Sequence, residues 1–254
     1  MNVFITGASS GIGEALAREF AARGARLGLA ARRTDALQAV VSTLPGQQHL
    51  IYGVDVTNTE AIVAAGREFD AAVGGADIVI ANAGISVGVK TEHYEDLAQF
   101  RRVFETNVLS MPATFHPFIA PMKTRRRGTL VGIASVAGIR GLPGHGAYCA
   151  SKAGVISYCE SLRGELRSRG VKVVTLSPGY IDTPLTRENR YAMPFLITAE
   201  DFADRAVKAI AAGVSYRVIP WQMGLVAKLL RVLPDRLFDR MLAGQPRKHR
   251  KPPV

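Results

Sequence analysis

At 254 residues, 48% hydrophobic and 21% charged, the chain is too apolar for disorder, too irregular for a fibre, and large enough to bury a core without disulfides or metals. No uncharged apolar run approaches the roughly 18–20 residues needed to span a bilayer. The formal net charge is +11, but residues 221–254 alone hold eight Lys and Arg against two Asp. The excess therefore describes the tail and not the body.

The first strand is expected at Asn2–Thr6, which leaves no room for a signal peptide, so a cytoplasmic protein is expected. It runs into Thr6-Gly7-Ala8-Ser9-Ser10-Gly11-Ile12-Gly13 and then a helix over Glu14–Arg23. Glycines at 7, 11 and 13 allow a tight turn and bring backbone N–H groups at a helix N-terminus close to a pyrophosphate. The next strand, Arg26–Ala31, ends in Arg32-Arg33, and a second helix covers Asp35–Thr43. An NAD-binding site places an acid at the end of such a strand, to read the adenosine ribose. Paired guanidiniums suit a 2′-phosphate instead, so NADP(H) is favoured over NAD(H).

Further strands are expected at His49–Asp55, Asp77–Asn82, Gly128–Ala134, Val171–Ser177 and Tyr216–Pro220. All are short continuous apolar runs, as in a parallel sheet covered on both faces. Seven such strands alternating with helices predict an α/β fold: a single doubly wound, Rossmann-type domain over 1–220, with ligands at the strands' carboxyl ends. Asp55-Val56 closes the third strand, where the carboxylate either accepts from an adenine amino group or caps the next helix. Asn82-Ala83-Gly84 closes the fourth. Asn82 either ties strands together or serves the site, and Gly84 lets a ribose lie against backbone.

A long apolar-patterned helix is expected from Tyr94 to Met122, with Asn107, a poor helix former, in its middle. Ser135 follows the fifth strand. Thirteen residues on stands Tyr148-x-x-x-Lys152, an i, i+4 pair on one helix face. Pro178-Gly179-Tyr180-Ile181-Asp182-Thr183 ends the sixth strand. Cys149 and Cys159 lie too far apart along that helix to pair, and the five His show no metal-ligand spacing. No metal site is expected.

With the glycine loop, Asn82-Ala83-Gly84, Asn107, Ser135, Tyr148, Lys152 and Pro178-Gly179 in this order and at these spacings, residues 1–220 resemble the short-chain dehydrogenase/reductase family. The resemblance implies an oxidoreductase moving hydride between a nicotinamide and a carbonyl or alcohol. Tyr148 would be the general acid/base, Lys152 would bind the nicotinamide ribose, Ser135 would orient the substrate oxygen and Asn107 would complete a proton relay. Ile181 and Thr183 would hold the carboxamide. The family commonly forms dimers or tetramers. A free phenol titrates near 10, so a charged Lys152 and an oxidised nicotinamide are expected to lower Tyr148.

The chain departs from the family after the seventh strand, where many members end in a short acidic, Gly-rich stretch. Here Val226, Leu229, Leu230, Leu233, Leu237, Met241 and Leu242 recur at helical spacing, broken at Pro234, in a basic extension over 221–254. The stripe is expected to pack on the body or another subunit, to cover an apolar pocket, or to touch anionic lipid. Similar extensions occur in relatives acting on lipids, steroids and retinoids. Residues 185–198, with Tyr191, Met193, Pro194, Phe195 and Leu196, suit a lid over an apolar substrate. A small hydrophobic carbonyl or alcohol is therefore the expected substrate. A 3-oxoacyl-thioester reductase and a non-catalytic NADP-binding redox sensor are the alternatives. The basic clusters Lys123–Arg127 and Arg247–Lys251 lack the aromatic interleaving of a nucleic-acid site, and no nucleic-acid partner is expected.

Overall fold

The computed structural model describes residues 1–46, 48–187, 189, 191–244, 248 and 250. Its first half alternates strand and helix: β1 (Asn2–Thr6), α1 (Gly11–Ala22), β2 (Arg26–Ala31), α2 (Thr34–Val41), β3 (Leu50–Gly53), α3 (Thr59–Ala72) and β4 (Ile78–Ala81). Then come α4 (Asp96–Phe104), a π turn over Glu105–Leu109, α5 (Ser110–Arg125), β5 (Thr129–Ile133) and α6 (Gly146–Leu166). After β6 (Lys172–Pro178), a two-residue strand β7 (Ile181–Asp182) and the single turn α7 (Pro184–Arg187) precede β8 (Ile197–Thr198). The chain continues through α8 (Ala199–Ala212), β9 (Tyr216–Ile219), α9 (Trp221–Val232) and α10 (Asp235–Leu242).

Seven strands form one parallel sheet in the order β3-β2-β1-β4-β5-β6-β9. Val3 of β1 lies opposite Leu27 of β2 on one side and Ile78 of β4 on the other. The order reverses between β1 and β4, which opens a crevice at the strands' carboxyl ends. All seven expected strands are present, and their ends move by a residue or two at most sites.

Helices cover both faces because the strands are apolar on both sides. One core packs Leu16 and Phe20 of α1 and Phe202 and Ile210 of α8 against Leu27 and Leu29. The other packs α3, α5 and α6 around Phe4, Phe69 and Phe118, with Phe4 5.4 Å from Phe69 and 5.3 Å from Phe118 between ring centroids. Gly28 makes room for this aromatic cluster, since a Cβ there would lie 2.8 Å from the Phe4 ring. Phe4→Ala should cost about 3–5 kcal/mol of stability. Urea unfolding checks this, and a loss below about 1 kcal/mol would show that the cluster does not anchor the sheet.

The expected helix over Tyr94–Met122 exists as two α-helices joined by the π turn that contains Asn107. One extra residue per turn there re-aims the side chains that follow. Arg125 and Arg127 of the first basic cluster pair with Asp70 and Asp77, each at 3.8 Å. They tie α5 to the amino-terminal edge of the sheet, far from the crevice. Of the second cluster, Arg247, His249 and Lys251 lie outside the described residues.

The tail departs from its expected pattern. Leu229, Leu237 and Met241 of the predicted stripe are exposed, and the packing face runs instead through Met223, Gly224, Ala227 and Phe238. Gly224 sets that face, because a Cβ there would come within 3.2 Å of Val218. Arg140, in the loop after β5, fixes the rest. Its guanidinium donates to the carbonyls of Leu230 and Leu233, pairs with Asp235 at 2.9 Å and stacks 3.8 Å over the Phe238 ring. One arginine thus satisfies the orphaned carbonyls at the end of α9 and seats α10. Among the described residues, no helix is long and apolar enough to cross a membrane.

Candidate active site

The β1–α1 turn is built around glycine. Gly7 and Gly11 adopt φ of +66° and +58°, and a Cβ at Gly13 would overlap the Gly7 carbonyl oxygen. Asn82 ties this loop to β4 by donating to the carbonyls of Thr6 at 3.0 Å and Gly7 at 3.2 Å. The Thr6 hydroxyl accepts the amides of Asn82 and Ala83. Asn82 therefore ties the strands and also shapes the loop. Loop and α1 N-terminus together form a cradle in which Gly7 and Gly11 leave the backbone open to an anionic group.

Arg33 closes one side of the cradle, with Nη2 3.2 Å from Ser9 Oγ and 3.4 Å from Ser10 Oγ. Arg32 faces Asp55 at 3.8 Å. Asp55 accepts from the amide and hydroxyl of Thr57. Partial burial works against its charge, but those bonds and Arg32 outweigh it and hold the carboxyl below its usual pKa. The helix cap is instead Asn58, whose side chain accepts the Ala61 amide at 3.0 Å; Asp55 closes a turn with Thr57 and still borders the crevice.

At the other end, Ser135 follows β5 and its hydroxyl accepts the Ala137 amide at 3.2 Å. Tyr148 and Lys152 stand one turn apart in α6. Lys152 is buried and donates to the Ile133 carbonyl at 2.8 Å, with Nζ 5.9 Å from the Tyr148 ring centroid. Burial lowers the Lys152 ammonium from 10.5 to about 8, against a small opposing effect of Cys159. Burial also pushes the Tyr148 phenol above 10.0, while the Ser135 hydroxyl beside it pulls the other way. The phenolate-favouring shift expected from Lys152 is thus reversed in the protein alone, because burial dominates.

A buried ammonium is costly, and the sign of its linkage follows from the lowered pKa. Between about pH 8 and 10.5 the unfolded chain binds more protons at this lysine than the native one, so native stability rises with pH across that window. Lys152→Met should consequently stabilise the protein near pH 7 by roughly 3 kcal/mol, with the gain shrinking above pH 8 and gone by about 10.5. Paired thermal melts across pH test it; a gain independent of pH would assign the effect to packing alone.

Asn107 is buried, and its side chain is fully engaged. Oδ1 accepts the Ile85 amide at 2.8 Å, and Nδ2 donates to the Ile85 carbonyl and to Ser151 Oγ, both at 2.9 Å. It clamps the loop after β4 to α6. A Cβ at Gly84 would lie 3.2 Å from Asn107 Oδ1 and 3.5 Å from Lys152 Nζ, so this glycine keeps the approach to the lysine open. Ser151, which completes the clamp, carried no signal in the sequence.

The Thr183 turn closes the crevice opposite the glycine loop. A Cβ at Gly11 would lie 3.2 Å from Thr183 Cβ. Thr186 holds the turn by accepting the Thr183 amide at 3.1 Å. Gly179 donates its amide to the Ile219 carbonyl at 2.8 Å and has no room for a side chain beside Met223. Within the expected lid, Tyr191 packs edge-on to His145 at 5.7 Å and lies 6.2 Å from Tyr180. Phe195 and Leu196 are exposed, and Glu188 and Arg190 lie outside the described residues.

All the expected site residues line one crevice of about 760 Å³, except Gly13 and Asn107, which stand behind its wall. Arg102, Glu105 and Lys248 line it too and were not anticipated. The volume, the glycine-opened cradle and the paired arginines fit an extended, phosphate-bearing dinucleotide. Among the described residues no three His, Cys, Asp or Glu side chains converge on a metal position.

Comparison with known proteins agrees with this architecture. The family model described as short chain dehydrogenase matches residues 1–194, and the chain belongs to that family of oxidoreductases. It is 40% identical over 237 residues to an uncharacterized oxidoreductase of Myxococcus xanthus (strain DK1622), covering 92% of this chain and 93% of the relative. It is 33% identical to the 3-oxoacyl-(acyl-carrier-protein) reductase FabG of Vibrio cholerae, over 90% of this chain and 93% of that protein. Among solved structures, an alcohol dehydrogenase from the archaeon Thermococcus sibiricus, complexed with 5-hydroxy-NADP, superposes with a TM-score of 0.77. That pair is 26% identical and covers 86% of this chain and 95% of the other.

Proposed function

We propose that the protein is an NADP(H)-dependent oxidoreductase that interconverts a hydrophobic carbonyl and its alcohol. The observation that carries this is the convergence of Ser135, Tyr148 and Lys152 on one end of a crevice whose other end is walled by Arg32 and Arg33. The glycine cradle at Gly7 and Gly11 and the α1 N-terminus would hold the pyrophosphate, and Arg32 and Arg33 the 2′-phosphate. Asp55 and Val56 would border the adenine, Ala83 and Gly84 a ribose, and Ile181 and Thr183 the carboxamide. When bound, the reduced nicotinamide supplies the hydride for the carbonyl carbon.

The chain supplies the rest. Ser135 donates to the substrate oxygen and shares its developing negative charge. Tyr148 gives that oxygen its phenolic proton as the carbonyl π bond opens, leaving a phenolate. The Lys152 ammonium stabilises the phenolate and holds the ribose. Asn107 enters as the residue that fixes the relay's geometry, because it sets both the Gly84 loop and the α6 turn carrying Lys152.

Tyr180, Tyr191 and His145 pack into an aromatic group near Tyr148, which supports an apolar substrate and a lid over about 185–198. The basic extension after residue 220 would act with that lid and not as a separate domain. A homo-oligomer is proposed from the family. The Vibrio relative favours one second reading, reduction of a 3-oxoacyl thioester. NADPH consumption over a carbonyl panel, from acyl thioesters to long-chain and polycyclic ketones, separates the two. Turnover confined to thioesters would replace the first reading, and NADPH binding without any turnover would favour a sensor.

A further inference from the structure

Two described residues of the tail, Lys248 and Arg250, lie at or near the crevice. Arg250 bridges in parallel to Gly88, in the loop after β4. Its guanidinium grips Asp96 at the start of α4 with two bonds, Nε to Oδ2 at 2.8 Å and Nη2 to Oδ1 at 3.0 Å. Asp96 is only 3% exposed and also accepts the Lys90 amide at 2.7 Å. A two-pronged ion pair fixes direction as well as distance, so the carboxylate is a built anchor for this part of the tail. The Arg250 bonds, joined by the Lys90 amide, hold the Asp96 carboxyl below its ordinary pKa.

Two residues before this anchor, Lys248 lines the crevice. Its Nζ lies 3.5 Å from the Leu185 carbonyl. Its charge adds to burial in lowering the His145 imidazole. Lys248 therefore stands between the segment that follows Thr183 and the loop that leads into Tyr148. Arg102 and Glu105 line the same crevice from the end of α4 and the π turn, and oppose one another in charge. Tyr180, Tyr191 and His145 pack into an aromatic group nearby. An ammonium set beside low-dielectric surfaces attracts an oxyanion more strongly than one in open water.

We propose that Lys248 belongs to the substrate site: Arg250, anchored on Asp96, places Lys248 to pair with an oxyanion of the substrate, so the preferred substrate is an apolar carbonyl or alcohol that also carries a carboxylate. This rests on the oxidoreductase reading and narrows its substrate class.

The test uses the full chain with a long-chain ω-oxo fatty acid and its methyl ester, which share the reacting aldehyde and differ in one charge. The acid should have a KM about tenfold lower than the ester, a difference of about 1.4 kcal/mol. Lys248→Ala should erase most of that preference by raising the acid's KM, and Lys248→Glu should invert it. Arg250→Ala should act in the same sense, because it frees the anchor. Equilibrium binding of the corresponding hydroxy acid and ester to the NADP⁺-loaded chain repeats the comparison without turnover, so a silent assay that overturns the oxidoreductase reading still decides this one. Acid and ester responding alike to Lys248→Ala would overturn the proposal. So would a loss of NADPH affinity as large as the loss for the acid, which would make the dinucleotide's own phosphates the oxyanion.

Discussion

Tyr148→Phe should lower kcat for carbonyl reduction by about 10²–10⁴-fold while NADPH affinity stays nearly unchanged. The substitution removes one oxygen from a side chain whose ring is otherwise retained, and leaves the Lys152–Ile133 bond at 2.8 Å in place. The glycine cradle and the arginine pair are at the other end of the crevice, so the cofactor has little reason to notice. Stopped-flow or steady-state NADPH oxidation gives the rate, and fluorescence titration gives the affinity. Retained turnover would remove Tyr148 from the chemistry and turn attention to Ser135 or a water.

The same site sets a pH dependence. Burial keeps the Tyr148 phenol protonated at neutrality, since its pKa lies above 10.0 in the protein alone. The residue is then poised as an acid, which suits reduction. Its conjugate phenolate relies on the Lys152 ammonium, which is lost as pH rises through about 8. Reduction should therefore be level below that pH and decline above it, whereas alcohol oxidation, which needs the phenolate beside the ammonium, should gain with rising pH up to about 8 and then level off. A pH–rate profile in each direction checks both signs.

The sheet and the chemistry-bearing ends of its strands were legible because they leave local marks. A two-sided buried strand such as β1 is a continuous apolar run, and a glycine forced to φ of +66° is a glycine in the sequence. Tyr148 and Lys152 were legible through their helical spacing only when joined to the glycine loop, Asn82-Ala83-Gly84 and Ser135. The π turn was not, because one extra residue scarcely disturbs an apolar pattern that continues on both sides of Asn107. Nor was the seating of α9 and α10, since Arg140 and Phe238 choose the buried face by contact across about a hundred positions and not by periodicity. The Arg250–Asp96 pair joins positions 154 apart. Charge counting saw a basic tail and could not see the carboxylate waiting for it.

Replacing Arg32 and Arg33 together by alanine should weaken NADPH far more than NADH, shifting the ratio of their dissociation constants by on the order of 100-fold. A hydrogen bond to a charged group is worth about 1.5–3 kcal/mol, but Arg32 is 63% exposed along its side chain, so solvent screening trims its share. Arg33 is the better placed of the two, with its guanidinium already directed at Ser9 and Ser10 of the cradle. The acid that faces Arg32, Asp55, follows β3 and is engaged by Thr57 and Arg32, so the end of β2 offers a ribose hydroxyl no carboxylate of its own. Removing the arginines exposes Asp55 to whatever occupies that corner. This adds repulsion for a phosphate and an acceptor for a hydroxyl, and both effects move the preference toward NADH. Titrating each dinucleotide at low and moderate salt measures the shift. The wild-type preference should shrink as salt rises, because the discriminating interaction is between charges near the surface. Equal losses for the two cofactors would show that these arginines do not read the 2′-phosphate.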